Sequence, residues 1–218
     1  MDIETLRKEL HPEDRPDPGR LLSILDEAVA VLRAADIEFL LMGGIATSVL
    51  GRPRGVTDVD VFVRERDVGP ALEALGGAGF DTLVVSPNWL AKAIKDDILV
   101  DVISRSKNDI SLSDEVLEHA VEVDIEGRKL RSVSPEDLIV MKAVATDEDT
   151  PRYWHDALSL LGRADLDWGY LARRAKKHGA RRVLSLLFFA QSLDLLVPEE
   201  IVSDLLDAVR PVGSEADG

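Results

Sequence analysis

The chain has no cysteine and no apolar run that approaches the roughly 18 residues of a membrane-spanning helix. Without cysteine it has no disulfide scaffold, no thiolate nucleophile and no thiolate zinc site. Its first residues, Met1–Thr5, also lack the basic and then apolar layout of a signal peptide. We therefore expect a cytoplasmic protein with no membrane partner.

Basic residues are scarce relative to acidic ones, 26 against 41, which gives a formal net charge of -15 over 218 residues. Such a charge argues against a general nucleic-acid coat, because phosphate backbones would be repelled, but it leaves room for a local basic patch. Apolar residues make up 45% and charged residues 31%, as in ordinary globular proteins. The length suits one domain with an appended subdomain.

Strand and helix patterns alternate over roughly the first 133 residues. Leu21, Leu25 and Val29 recur at helical spacing and predict an amphipathic helix over Arg20–Ala34. Thr57–Val63 alternates aspartate with valine, the period of a strand with one polar face and one apolar face. We predict strands at 39–42, 57–63, 80–85, 98–103, 121–125 and 129–133, and short helices at 45–50 and 70–75.

The rest of the chain has helical character. Ser134 is a good N-cap, and Pro135 suits the first position of a helix. We predict helices at 135–145, 151–161, 168–177 and 181–193, with a last one starting at Pro198. The expected fold class is α+β (α/β), with a small mixed β-sheet flanked by helices. The expected organisation is a peripheral segment (1–20), a core (21–133), a helical C-terminal subdomain (134–210) and a disordered tail (211–218).

Asp58 and Asp60 are the strongest chemical signal. At positions i and i+2 of a strand their side chains point to the same face, with α-carbons about 6.5–7 Å apart, so both can reach one cation or bracket two. Magnesium is typically held by a few carboxylates together with water and substrate phosphate. The alternatives are an acidic surface strand and the Asp-x-Asp metal site of a glycosyltransferase.

Two further features lie before and after this aspartate pair in the sequence. Gly43 and Gly44 end one strand and open a helix, where backbone amides and the helix dipole can hold a triphosphate, although many such pairs are simple turns. Asp101 lies inside an otherwise apolar strand. A buried carboxylate needs a cation, so Asp101 should meet either a metal ion or a nearby arginine or lysine.

Together these residues resemble the signature of the polymerase-beta-type nucleotidyltransferase superfamily. The matching segments are Leu41-Met42-Gly43-Gly44, Arg54-Gly55-Val56-Thr57-Asp58-Val59-Asp60-Val61 and Val100-Asp101-Val102. The resemblance covers residues 37–105 well and extends more loosely to about 165. It implies a nucleotidyltransferase fold, metal ions on Asp58 and Asp60, a triphosphate at Gly43–Gly44, and Asp101 as a further ligand or as the base.

The Arg-x-x-Thr-Asp-x-Asp form of the signature looks most like small bacterial nucleotidyltransferases, including toxins of the abortive-infection (AbiEii-like) toxin–antitoxin type. In those relatives a lysine in one helix and an arginine and an aspartate in the next complete the site. Lys142, Arg152 and Asp156 fall at these positions. A plain intrahelical ion pair between Arg152 and Asp156 is the alternative.

Several other residues have weaker signals. Arg54 and Arg52 either steer phosphate or face solvent. Thr57 either favours the strand or braces an aspartate. His155 contacts the acceptor, acts in proton transfer or is structural. Six basic residues fall within residues 173–182, where they form either a dock for an RNA acceptor such as tRNA or a solvated helix face: Arg173, Arg174, Lys176, Lys177, Arg181 and Arg182.

The sequence thus predicts an enzyme that uses Mg²⁺ or Mn²⁺ and a nucleoside triphosphate such as ATP. It would transfer the nucleoside monophosphate to RNA, a protein side chain or a small molecule. A toxin with an antitoxin partner is a special case that rests on the resemblance. The alternative function is a nucleotide-binding or interaction module that has lost catalysis.

Overall fold

The computed structural model describes residues 16–87 and 89–210. Two compact units divide the chain. The first, here called the sheet unit, comprises the described residues up to Val49, Pro53–Arg105 and Ser111–Val133. The second, the helical unit, comprises Leu50–Arg52, Ser106–Ile110 and the described residues from Ser134 onward. The predicted tail (211–218) and most of the predicted peripheral segment (1–20) lie outside the described residues.

A seven-stranded mixed sheet forms the centre of the sheet unit. Its strands are β1 (Phe39–Leu41), β2 (Asp58–Val63), β3 (Asp81–Ser86), β4 (Leu90–Lys95), β5 (Ile98–Ile103), β8 (Val121–Ile125) and β9 (Arg128–Ser132). They lie in the order β3-β4-β5-β2-β1-β9-β8; β2 pairs with β5, and β1 with β9, in parallel, and the other pairs are antiparallel. Two short strands, β6 (Arg105–Ser106) and β7 (Ile110–Ser111), pair separately.

The sheet unit has helices α1 (Pro18–Ala34), α2 (Gly43–Leu50), α3 (Val68–Gly77) and α4 (Asp114–Glu118). Helix α1 begins where Asp17 accepts a hydrogen bond from the Arg20 amide at 3.1 Å. It packs on α3, β2 and β5, while α3 packs on β3, β4 and β5, so both helices bury apolar side chains against the sheet. This mixed sheet flanked by helices confirms the predicted fold class.

The helical unit contains α5 (Pro135–Ala145), α6 (Arg152–Leu161), α7 (Trp168–His178), α8 (Ala180–Gln191) and α9 (Glu199–Val209). Helix α5 is buried along most of its length because α6, α7 and α8 all pack against it. As the sequence predicts, Ser134 caps α5 by accepting a hydrogen bond from the Asp137 amide at 3.2 Å. No helix within residues 16–87 and 89–210 is long and apolar enough to cross a membrane.

A buried ion pair joins α5 and α7. Nε of Arg174 donates to Oδ1 of Asp137 at 2.6 Å, with side-chain exposures of 2% and 1%, and the Tyr170 hydroxyl donates to Oδ2 at 2.6 Å. Arg174 is thus part of the interior of this unit. Of the six basic residues within 173–182, Arg174 is therefore not part of an exposed basic surface.

Most predicted elements occur within a residue or two of their expected bounds. The pattern missed strand β4 and the short helix α4 altogether. It also ended the helix at 70–75 before Gly76, whereas α3 continues through Gly77. The missed strand matters most, because β4 contributes a residue to the candidate site.

Candidate functional site

Three carboxylates meet on one face of the sheet. Asp58 and Asp60 project from β2, and the parallel pairing of β2 with β5 puts Asp101 directly opposite Asp60. Each of the three offers a carboxylate oxygen, and these oxygens all lie within 4.8 Å of one another. Asp101 is 5% exposed, while Asp58 and Asp60 are half-buried and open to a ligand. The structure therefore brings together the three aspartates singled out in the sequence.

The donor set fits a hard divalent cation. Around an octahedral magnesium ion, with oxygen ligands at 2.0–2.1 Å, neighbouring and opposite oxygens are about 2.9 and 4.1 Å apart. Because the three carboxylate oxygens all lie within 4.8 Å of one another, side-chain movements on the order of 1 Å would bring them to these separations. Oxygen-only carboxylate ligation is also typical of magnesium and manganese rather than of zinc.

The glycine pair lies against Asp60. The Gly44 amide donates to Oδ2 of Asp60 at 3.1 Å, and the Met42 amide donates to the Asp60 carbonyl at 3.0 Å. Gly43 has a φ of +60°, and a β-carbon at this residue would lie only 1.9 Å from Oδ2 of Asp60. This turn thus braces a candidate metal ligand as well as opening α2.

Arg54 lies beside the same turn. An ideal β-carbon on Gly44 would be 3.5 Å from Nη2 of Arg54 and 3.7 Å from Oδ1 of Asp58, so both groups face this glycine. The Ser48 hydroxyl fixes the backbone of Arg54, accepting from its amide at 3.1 Å and donating to its carbonyl at 3.2 Å. Thr57 is exposed and immediately precedes β2.

Lys92 is a residue of the site that the sequence did not reveal. It lies on β4 directly opposite Asp101, and its Nζ donates to Oδ1 of Asp101 at 2.7 Å. The two side chains are only 4% and 7% exposed. Asp101 therefore meets a lysine, one of the two partners that the sequence offered, and it also belongs to a carboxylate cluster of a kind that could hold a metal ion.

The remaining predicted site residues belong to the helical unit. Nζ of Lys142 lies 3.2 Å from Oδ2 of Asp156, with exposures of 9% and 7%, and 4.3 Å from the centre of the Tyr153 ring. Asp156 thus pairs with a lysine on α5, and Arg152 is exposed near the same tyrosine. His155 is exposed.

The basic stretch 173–182 is exposed apart from Arg174 and residues between the charged positions. Lys176 pairs with Asp204, and Arg181 donates to the Val209 carbonyl at 2.9 Å. Arg173, Lys177 and Arg182 are exposed as well. Of the apolar residues that follow, Leu184, Leu186 and Leu187 are buried in the core, whereas Phe188 and Phe189 are 48% and 43% exposed.

The fold and the aspartate cluster together define a nucleotidyltransferase. The chain belongs to the family described as "Nucleotidyl transferase of unknown function (DUF2204)", which matches residues 21–154, more than half of its length. This membership confirms the predicted superfamily and enzyme class. The abortive-infection subtype stays a prediction.

A solved structure with a TM-score above 0.5 supports the fold. The chain is similar to the antibiotic-resistance factor ANT(2″)-Ia in solution, with a TM-score of 0.54 and 18% identity over 82% of this chain and 96% of that one. It is also similar to the lincosamide antibiotic adenylyltransferase LnuA with lincomycin bound, with a TM-score of 0.48 and 17% identity over 67% and 99%. Comparison with curated protein sequences finds no match.

Proposed function

We propose that this nucleotidyltransferase moves a nucleoside monophosphate from a triphosphate to an acceptor, using Mg²⁺ or Mn²⁺ held by Asp58, Asp60 and Asp101. The observation that carries the proposal is the convergence of three carboxylate oxygens within 4.8 Å beside a glycine turn. Asp101 is assigned as the third ligand because its oxygen belongs to this cluster. When bound, the metal neutralises charge on the triphosphate.

The chain's own residues position the reactants. The Gly43–Gly44 turn, at the positive end of the α2 dipole, and the guanidinium group of Arg54 would hold the phosphates. The acceptor hydroxyl would give up its proton to water, its oxygen would form a bond to the α-phosphorus as the bond from that phosphorus to the bridging oxygen breaks, and pyrophosphate would leave. Such a reaction depends chiefly on orientation and charge stabilisation, for which rigid strands are suitable mounts.

The proposal includes Lys142, Arg152 and Asp156 on the strength of the sequence resemblance. Within the helical unit, the close contact between Lys142 and Asp156 supports a shared role, because each holds the other's orientation. Thr57 remains a candidate for contact with the nucleotide, since it is exposed next to Asp58.

For the acceptor we propose RNA, for example a tRNA. The exposed basic residues of 173–182 support this choice, because they are the chemistry that RNA phosphates require. A toxin role with an antitoxin partner rests on the resemblance to abortive-infection proteins. Growth arrest on expression that depends on Asp58, and that is relieved by a neighbouring open reading frame, would support it.

The decisive experiment incubates the protein with each α-labelled nucleoside triphosphate, Mg²⁺ or Mn²⁺, and either total RNA, a protein mixture or the enzyme alone. We expect metal-dependent labelling of one acceptor and its loss in Asp58→Asn. Asp81→Asn is the matched control, since it makes the same change at an exposed position on the edge strand β3.

The possible outcomes distinguish the proposed enzyme from a silent binding module. Labelling that survives in Asp58→Asn would exclude this aspartate cluster as the active site. Metal-dependent triphosphate binding without label transfer to any acceptor would favour the module. The absence of both would overturn the proposed function.

A further inference from the structure

A row of charged side chains crosses three neighbouring strands of the sheet. Lys92 on β4 is paired in register with Asp101 on β5, which is in turn paired with Asp60 on β2. Residues opposite one another on adjacent strands point to the same face. The row therefore runs from a buried ammonium group to the half-buried carboxylates at the open end of the site.

Fold stability alone is a poor reason for such a pair. Replacing a buried ion pair with packed apolar residues is often neutral or stabilising, because desolvation costs about as much as the attraction returns. On the same face, Leu90 lies two residues before Lys92 and Phe62 two residues after Asp60, and both are buried apolar side chains. The presence of Lys92 in this row is therefore better explained by an effect on Asp101, the carboxylate that it contacts.

The charge balance of the site indicates what the lysine does. Asp58, Asp60 and Asp101 have oxygens within 4.8 Å of one another, so their negative charges repel at close range. The ammonium group of Lys92, 2.7 Å from Oδ1 of Asp101, offsets one of these charges and fixes the direction of that side chain. Both effects are strong because water is largely excluded from the pair.

We propose that Lys92 is a positioning residue and an internal counter-cation of the aspartate cluster. It holds Asp101 in the orientation that turnover requires, and its charge weakens the affinity of the cluster for a divalent cation when no nucleotide is bound. The negative triphosphate then supplies the charge that completes the site. This inference rests on the proposed function.

The test uses Lys92→Met, which removes the charge and the hydrogen bond, and Lys92→Gln, which keeps an N–H donor without charge. Lys95→Met is the matched control, because Lys95 lies on the same strand and pairs with Glu27 rather than with the cluster. For each folded variant, the Mn²⁺ dissociation constant of the nucleotide-free protein is measured by electron paramagnetic resonance, together with kcat and KM for the triphosphate. Where Lys92→Met does not fold, Lys92→Gln carries the test.

We expect both Lys92 variants to bind Mn²⁺ at least about fivefold more tightly than the wild type, since a repelling charge is gone. We also expect kcat to fall about tenfold or more in Lys92→Met and less in Lys92→Gln, with KM nearly unchanged. In an Asp101→Asn background, Lys92→Met should cause no further loss of kcat. A merely structural lysine would instead weaken metal binding.

Wild-type or weaker Mn²⁺ affinity in both Lys92 variants would overturn the inference, whether or not the protein transfers nucleotides. Transfer that is absent from the wild type would overturn the proposed function, while the Mn²⁺ comparison would still decide the role of Lys92. A wild-type protein that does not bind Mn²⁺ at all would overturn both.

Discussion

Gly43 and Asp60 approach so closely that a β-carbon on Gly43 would lie 1.9 Å from Oδ2 of Asp60. The same glycine has a φ of +60°, a left-handed conformation that side chains disfavour. Glycine is therefore required at this position both by the backbone and by the carboxylate. The turn and this candidate metal ligand form one structural unit, although the Asp60 carboxylate and the Gly44 amide that contacts it lie 16 positions apart in the sequence.

Gly43→Ala should abolish nucleotide transfer in a protein that still folds. The added methyl group must displace the Asp60 carboxylate, and a displacement of about 1 Å at a reacting centre can cost roughly 10²-fold in rate. We expect a loss of at least that size in kcat, together with weaker Mn²⁺ binding. Label transfer and metal titration measure the two effects.

Gly127→Ala is the control that distinguishes the effect of backbone strain from the effect of steric overlap with Asp60. Gly127 has a φ of +85°, but nothing lies within 4 Å of its hypothetical β-carbon. It should lose about 1 kcal/mol of stability and retain full activity. Equal loss of activity in both variants would show that the contact between Gly43 and Asp60 is not what the site requires.

The buried pair between Lys142 and Asp156 should matter far more for stability than an exposed pair in the same unit. Asp156→Ala leaves a buried ammonium group without its carboxylate, and losing one member of such a pair costs about 3–5 kcal/mol. Asp204→Ala breaks the exposed pair with Lys176 and should cost less than about 1 kcal/mol. Urea unfolding measures the loss of stability in each variant. Equal losses would contradict the larger contribution assigned to the buried pair.

The polar and apolar alternation of β2 was visible in the sequence because a strand exposes alternate residues to opposite environments. Val59 and Val61 are buried while Asp58 and Asp60 are only half-buried, as the pattern predicts. Strand β4, which β5 separates from β2 in the sheet, was not visible in the sequence because it lacks this alternation. Its sequence, Leu90–Lys95, is rich in alanine and lysine, which have low strand propensity, and only its pairing between β3 and β5 makes it a strand.

The residues of the candidate site were likewise only partly predictable from the sequence. Asp58, Asp60 and Asp101 could be found because carboxylates in apolar strands are costly without a cation. Lys92 has no such signature, since a single lysine in a weak strand pattern carries no information until the register is known. Similarly, the sequence grouped Arg174 with its exposed neighbours, whereas Asp137 and Tyr170 hold it in the interior.

His178 should make the stability of the protein depend on pH. Burial is the main reason that the pKa of His178 lies below its usual value, and the charges of Arg174 and Lys177 lower it further, while the hydrogen bond to the Asn108 carbonyl opposes the shift. The unfolded state therefore binds a proton near pH 6.5 before the folded state does. Stability should be fully present above pH 6.5 and should fall as the pH drops below it, until the folded pKa is reached.

His178→Gln should remove this part of the pH dependence. The measurement is the free energy of unfolding in urea at pH 7.5 and at pH 5.5, for the wild type and the variant. His155→Gln, at an exposed position of α6, controls for the loss of one histidine. An unchanged difference between the two pH values in His178→Gln would show that other groups cause the dependence.

The basic stretch should reveal itself through the salt dependence of RNA binding. Arg173, Lys177 and Arg182 are exposed, so replacing all three with glutamine removes charge from the surface without disturbing the pair formed by Arg174. The slope of log affinity against log salt is negative. If each of the three residues contacts one phosphate, the slope should become shallower by roughly 2–3 in the triple variant. Filter binding of tRNA between 50 and 200 mM salt measures this change.

The same charge change elsewhere provides the control, with glutamine at three exposed basic residues of the sheet unit: Arg33, Arg66 and Lys129. Both triple variants lower the net charge equally, so a general electrostatic effect would weaken tRNA binding in both. A specific dock predicts a reduced slope only when residues 173–182 are changed. Equal behaviour would instead identify the stretch as a solvated face that offsets the acidity of the chain.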